Sequence, residues 1–287
     1  MTAAAPAPAA ASNAPKPVVE IAPSKGWQAV DLGELWRYRE LLQIFVWRDL
    51  KVRYRQTVLG VIWIVAQPVI TMLIFTLLFN RVARIQPDSS VPYSIFVMTA
   101  LVPWTFFSAA VAASGNSLIG SSHLISKVYF PRMIVPAASI FAAAVDMLVT
   151  LGVVIVMMLW HRVAISWTIV ALPISSAICG ILALGIGLWL SALNVEYRDL
   201  RVVIPFLMQF WLYATPVVYP LSALPAKYRL LAQLNPMTAV VDAFRNSLTA
   251  QAIPWAALAY STAVSLVLLV SGAFYFRRME RQFADVL

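Results

Sequence analysis

Six apolar runs separated by polar breaks dominate the chain, at residues 58–79, 93–113, 133–160, 167–193, 202–218 and 255–276. A helix needs about 20 residues to cross a hydrocarbon core ~30 Å thick, so four runs fit, 133–160 is long enough to tilt, and 202–218 is marginal. Backbone groups in lipid must pair within their own segment, which makes each run a helix rather than a strand. Ahead of the runs, residues 31–56 read as an amphipathic helix. Leu35, Tyr38, Leu41, Leu42, Phe45, Val46 and Val52 share one arc, and Arg37, Glu40, Arg48, Lys51 and Arg55 gather opposite. Asp49 and Arg53 are exceptions on the apolar side, while Trp36, Trp47 and Tyr54 sit at the flanks, where amphipathic aromatics favour the headgroup level. That pattern predicts an interfacial helix lying on a membrane face.

The remaining stretches complete the layout. Residues 1–30, Ala/Pro-rich over 1–13, read as a disordered tail. The connection 219–254 is too apolar for a solvated loop. Its pieces 227–233 and 236–250 predict short helices that dip into the outer leaflet or cap the bundle. Such structure is tolerated only where it packs on protein or lines a water-filled cavity. The expected fold is all-α and integral to the membrane: an interfacial helix at 31–56, then a six-helix domain over 57–287 with short re-entrant helices before the last span.

Composition sharpens this. The chain is 61% hydrophobic and 11% charged, against about a quarter charged in soluble domains, so it is a polytopic membrane protein. The net charge of +9 is therefore read by position rather than as a nucleic-acid signal. With both termini in the cytoplasm, 15 of the 21 Lys and Arg residues fall on the inside and 6 on the outside, which orients the chain by the positive-inside rule. One cysteine, Cys179, precludes a disulfide within the chain, and His123 and His161 are not at metal-ligand spacing. No GxxxxGK[ST] loop is present to cradle ATP phosphates. Asp146 is the only acidic residue inside a spanning run, and a lone acid there reads as an interhelical hydrogen-bonding group rather than a proton relay. Ala183 and Gly187, with Gly180 and Gly185 nearby, form a small-residue face for close helix packing, a subunit contact being one place for it.

Four motifs then carry a resemblance: RDLKVRYRQTVLGVIWIVAQPV (48–69), SKVYFPR (126–132), YRDLRVVIPFLMQFWLYATPVVYP (197–220) and LNPMTAVVDAFRNSL (234–248). Together, in this order, they resemble the membrane subunits of type-2 ABC exporters, in the branch that exports polysaccharides and polyol phosphates. The resemblance implies a homodimer of six-helix subunits joined to two copies of a separate ATPase, which binds the ATP and Mg; no cofactor and no metal is expected on this chain. It also implies an undecaprenyl-diphosphate-linked glycan as cargo, a bacterial inner membrane location and no nucleic-acid partner. Segment 114–132 would hold the coupling helix, with His123, Lys127, Tyr129 and Arg132 facing the ATPase and Tyr197, Arg198 and Asp199 as a second contact. Trp36, Arg37, Trp47, Arg48, Lys51 and Arg55 would carry the interfacial helix. Tyr219, Pro220, Asn235, Pro236, Asp242 and Arg245 would form the external gate. Aromatic faces stack on sugar rings, so Trp63, Trp104, Phe107, Phe210, Trp211 and Tyr213 are the expected path residues. The alternatives are the same permease with a capsule, teichoic acid, lipid or drug cargo, and an integral-membrane glycosyltransferase. The last would need acidic or basic residues clustered at one membrane face, and the close acidic pair Glu196 and Asp199 instead flanks Arg198.

Overall fold

The computed structural model describes residues 32–55, 60–84, 91–125, 130–197, 199–280 and 283, and every regular element among these residues is helical. In chain order they are α1 (Leu32–Arg37), α2 (Arg39–Arg55), α3 (Gly60–Phe75, continued by a π-helical turn Thr76–Val82), α4 (Tyr93–Gly120) and α5 (Ser122–Ile125). There follow α6 (Ile134–Trp160), α7 (Ala171–Glu196), α8 (Leu200–Ala214), α9 (Ala226–Leu234), α10 (Pro236–Leu248) and α11 (Trp255–Met279). The 1–30 tail expected from the sequence lies outside the described residues.

Among the described residues, five helices are long and apolar enough to cross a membrane: Ile62–Val82, Tyr93–Gly120, Ile134–Trp160, Trp167–Glu196 and Trp255–Met279. The chain is thus a multi-pass helical membrane protein. The fifth apolar run, 202–218, marginal in the sequence, forms a helix short of spanning length. Its helix, α8, has 15 residues, ends at Ala214 and is followed by Thr215-Pro216, so it rises only roughly 22 Å against the ~30 Å of a bilayer core. The run 93–113 is longer than its apolar pattern, because α4 continues through Ser114–Gly120; the segment left to connect it to α6 is correspondingly shorter.

The core is built around α4. Ile95, Met98, Leu101, Phe107 and Leu118 are fully buried along it, and the helix packs against α6, α7, α3, α10 and α8. Fully buried Asn194 near the end of α7 donates through Nδ2 to the Gly115 carbonyl (2.9 Å) and to Asn116 Oδ1 (3.1 Å), tying α7 to α4. The small-residue face of α7 is used for packing within the chain. A Cβ on Gly185 would lie 2.7 Å from the Leu269 nitrogen of α11, and one on Gly272 would lie 2.6 Å from the Gly185 carbonyl oxygen. Glycine is what lets these two backbones touch. Gly187 meets Ser114 of α4 on the opposite side, so α7 is wedged between two neighbours. Trp189 stacks on Tyr275 of α11 at 4.2 Å and donates to Ser271 Oγ (3.2 Å).

The region 219–254 divides into an exposed α9, in which only Ala232 is buried, and an enclosed α10. α10 is among the most buried elements, with Met237, Val240, Val241, Ala243 and Phe244 almost fully enclosed against α4, α7 and α11. Thr168 donates to the Ser247 carbonyl (3.1 Å), and Ser261 of α11 donates to the Pro236 carbonyl (2.9 Å), fixing its two ends. α10 is thus packed within the bundle, while α9 lies on its surface.

Candidate functional site

A cavity of about 480 Å³ opens between α3, α4, α6 and α8, with α3 and α8 standing on either side of α4. Its position follows from helix-breaking residues in its own walls: Pro68 of α3 and Pro205 of α8 both line it, and each removes a backbone hydrogen bond and prevents straight close packing. The lining mixes an aromatic, Trp104, with polar groups unusual in spanning helices, among them Gln67, Thr71, Ser108, Asp146, Thr150 and Gln209. Three of its threonines bond back to their own helix. Thr71 donates to Gln67 O (2.8 Å), Thr105 to Val102 O (3.1 Å) and Thr150 to Asp146 O (3.0 Å), leaving their oxygen lone pairs for other donors.

Asp146 is held from the amphipathic helix. Arg53 Nη1 forms an ion pair with Asp146 Oδ2, and Tyr54 donates its hydroxyl to Oδ1 at 2.6 Å. The departure of Arg53 from the polar face of α2 has this cause: it is turned toward α6 to meet a carboxylate inside the bundle. The other exception, Asp49, pairs with Arg48 at 2.8 Å. Burial and the adjacent Asp146 carboxylate push the Tyr54 phenol up to about 12, so it remains a neutral donor near pH 7. Two turns earlier in α2, Phe45 packs edge-on against Phe130 at 5.5 Å and shares a buried cluster with Ile134, Val135 and Ala138 of α6. Ile134 and Asp146 are 12 residues apart, roughly 18 Å along α6, so α2 runs partly along that helix and does not only cross its end. Arg48 also donates to Ser121 Oγ (3.3 Å) at the α4–α5 corner. Through Arg48 and Arg53, one helix touches both the α4–α5 corner and the cavity wall. Trp36, Arg37, Trp47 and Lys51 are exposed, as an interfacial face requires; the side chain of Arg55 lies outside the described residues.

The expected coupling residues divide. His123 is exposed on α5, while Lys127, Tyr129 and Arg198 lie outside the described residues. Tyr197 and Asp199 are exposed at the α7–α8 turn. Arg132 faces inward rather than outward. Its Nη1 donates to the Glu280 carbonyl at the end of α11, its backbone N–H donates to Glu280 Oε1 (3.2 Å), and its guanidinium lies 6.0 Å from the ring of fully buried Phe283. A cation there completes the carbonyl end of α11, as expected for a helix C-terminus.

The expected path residues also separate. Trp104 lines the cavity. Phe107 does not: it is fully buried and meets Trp211 edge-on at 5.2 Å, so it is a core residue. Trp63, Phe210 and Tyr213 are exposed on the outer faces of α3 and α8, away from the cavity lining. Trp211 borders a second recess of about 400 Å³ with Tyr219, Tyr228 and Asn235.

The expected gate residues form a buried scaffold. Asn235 caps α10 by accepting from Met237 N–H (3.1 Å), with Pro236 at the first helical position. The same amide accepts from Trp211 Nε1 (3.0 Å) and donates to Thr215 Oγ1 (2.9 Å), joining the cap to the end of α8. Tyr219 donates to the Tyr213 carbonyl (3.0 Å), and Pro220 is buried. Arg245, 4% exposed, donates through Nη2 to the carbonyls of Pro216 (2.9 Å) and Val217 (3.1 Å) and through Nη1 to Asp242 (3.1 Å), with the Phe96 ring 3.8 Å from its guanidinium. Carbonyls freed where α8 stops are thus paired by a side chain of α10. Sequence reasoning missed Tyr93, whose hydroxyl donates to the Val218 carbonyl, and Ser121; the break after α8 hinted that its carbonyls needed donors but not which residues supply them.

Helices long and apolar enough to span a membrane, with a polar cavity among them, define a multi-pass helical membrane bundle. The ABC-2 type transporter family model matches residues 40–249, and the chain belongs to that family. It is 32% identical over 255 residues to an O-antigen export system permease protein of Myxococcus xanthus, covering 88% of this chain and 97% of the relative. A Klebsiella pneumoniae protein of the same description is 27% identical over 250 residues, 86% of this chain and 95% of the relative. A polysialic acid transport protein of Escherichia coli is 25% identical over 240 residues, 81% of this chain and 91% of the relative.

Proposed function

We propose that this chain is the channel-forming permease of an ATP-driven exporter that moves a lipid-linked, O-antigen-like polysaccharide from the cytoplasm across the inner membrane. The observation that carries the reading is the cavity between α3, α4, α6 and α8: hydroxyl, amide and carboxylate groups beside an indole, enclosed by helices apolar enough to span lipid. The relatives named as O-antigen export permeases support it, since they match nearly end to end.

In this reading α8 serves as the sixth, short crossing, both termini are cytoplasmic, and the amphipathic region 31–56 lies toward the inner leaflet. Two copies face each other across the exposed apolar sides of α3 and α8, so that Trp63, Phe210 and Tyr213 border the path and the cavity opens onto it. A separate ATPase binds ATP and Mg, as the missing phosphate loop requires of its partner. It docks on the α4–α6 connection around His123, Lys127 and Tyr129, and on the turn at Tyr197, Arg198 and Asp199. The contact from Arg48 to Ser121 gives ATPase movement a direct route into α2, and the Arg53–Asp146 pair carries it to the cavity wall. The cargo is a glycan on undecaprenyl diphosphate. A second reading, a charged capsular polymer as cargo, is favoured by the polysialic acid transport relative.

The test is reconstitution of the chain with its ATPase in vesicles, together with a deletion strain. Translocation of lipid-linked glycan in vesicles and cytoplasmic accumulation of polymer in the strain are expected. ATP hydrolysis without translocation, with no polymer accumulating, refutes the reading.

A further inference from the structure

We infer that the cavity between α3, α4, α6 and α8 selects an uncharged, hydroxyl-rich chain and disfavours a polyanionic one, with Asp146 as the selecting residue and Arg53 and Tyr54 as its positioning residues. The inference rests on the exporter reading above and narrows its cargo.

Hydrogen-bond polarity is the first ground. The hydroxyl hydrogens of Thr71, Thr105 and Thr150 are directed to backbone carbonyls of their own helices, so these side chains offer the cavity oxygen lone pairs. The Asp146 carboxylate accepts through both oxygens, from Arg53 and Tyr54. Gln67, Ser108 and Gln209 can both donate and accept, so a sugar hydroxyl, itself donor and acceptor, matches every polar group of the wall, whereas a carboxylate or phosphate finds partners only in the few neutral donors.

Charge is the second ground. Among the described residues, Asp146 is the only titratable side chain lining the cavity, and no Lys or Arg lines it. The nearest cation, Arg53, is bound to Asp146 Oδ2 from α2 and does not itself line the space. An anion entering this low-dielectric site finds its counter-charge already paired to a competing carboxylate, and an unpaired charge in such surroundings is strongly disfavoured. Trp104 adds a flat apolar face of the kind that stacks on a neutral sugar ring. Polysialic acid, for which one kind of relative is named, is a polyanion, and this cavity does not suit such a chain.

The experiment uses the full chain in lipid nanodiscs and two probes on one backbone, isomaltoheptaose and its sulfated form, in which anionic sulfate esters replace hydroxyl donors. The neutral probe is expected to bind at least about tenfold more tightly than the sulfated one. Asp146→Asn leaves Arg53 unpaired and should shrink or reverse that ratio, whereas Arg53→Gln leaves the carboxylate uncompensated and should enlarge it. A merely structural role would shift both probes alike. Ser108→Lys, which leaves the ion pair intact, supplies the missing cation and should raise sulfated binding about tenfold even where the Asp146 variant does not fold. Equal or tighter binding of the sulfated probe to the wild-type chain overturns the inference. So does the absence of binding by either probe, since the recognition inferred does not depend on linkage. Neither result touches the exporter reading, which stands or falls on translocation with the ATPase.

Discussion

Replacing Arg245 should unfasten the break between α8 and α9. The guanidinium is 4% exposed, holds the Pro216 and Val217 carbonyls at 2.9 and 3.1 Å, pairs with Asp242 at 3.1 Å and faces Phe96 at 3.8 Å. In Arg245→Ala, two buried carbonyls lose their donors at about 1–3 kcal/mol each when truly orphaned, and Asp242 loses its counter-ion. Water entering the vacated space offsets part of this, so a net loss of about 4 kcal/mol is expected, near the 3–5 kcal/mol typical of breaking a buried pair. At roughly 2–4 °C per kcal/mol for a chain of this order of size, the melting temperature of the purified protein in nanodiscs should fall by about 10 °C. Hydrogen exchange should rise first around residues 214–220 and at the start of α10. Arg245→Lys keeps the charge but not the planar fork, so it cannot serve two carbonyls and Asp242 together and should fall between wild type and Ala. An Arg245→Ala protein within about 1 kcal/mol of wild type, or a Lys variant indistinguishable from wild type, would refute the reasoning.

Three further outcomes are expected. Gly272→Ala drives a Cβ to within 2.6 Å of the Gly185 carbonyl oxygen and should lose about 1–3 kcal/mol in the same unfolding assay; Gly152→Ala, whose Cβ meets nothing within 4 Å, is the control and should be neutral or slightly stabilising. Arg132→Ala removes the donor to the Glu280 carbonyl and the partner of Phe283, so hydrogen exchange over the last turn of α11 should rise while membrane insertion is unchanged; unaltered exchange would contradict the inward placement. Cysteines at Ser222 and Ala250, both exposed, should react with a membrane-impermeant thiol reagent from outside the cell, with buried Cys179 silent; labelling only from the cytoplasm would invert the topology.

The apolar runs gave the five spans their places because the pattern they follow is one-dimensional: a helix in lipid satisfies its own backbone, so length and apolarity suffice to find it. Asn235-Pro236 was equally readable as punctuation, and it is a helix cap. The re-entrant packing of α10 was half readable. Its half-polar composition left open whether Asp242 and Arg245 faced water, and the two in fact neutralise each other beside the free carbonyls of the α8 break. Path aromatics were the least readable. Trp104, Phe107 and Phe210 are alike in sequence, yet one lines the cavity, one is core and one lies on the outer surface, because helix rotation about its axis is set by neighbours.

The sequence by itself determined that this chain crosses a membrane several times, that an amphipathic helix precedes the spans, that no phosphate loop is present, and that the region after residue 202 could not be one more plain span. All of these follow from local composition and spacing. Tertiary structure alone decided that Arg53, an apparent flaw in the amphipathic pattern, is the counter-ion of Asp146, 93 residues away. It alone decided that the glycine face of α7 serves α11, and that Arg132 and Arg245 turn inward. The physical reason is the same in each case. A charge or a backbone contact buried in a low-dielectric bundle needs a specific partner, and which helix brings that partner depends on long-range packing that no local pattern encodes.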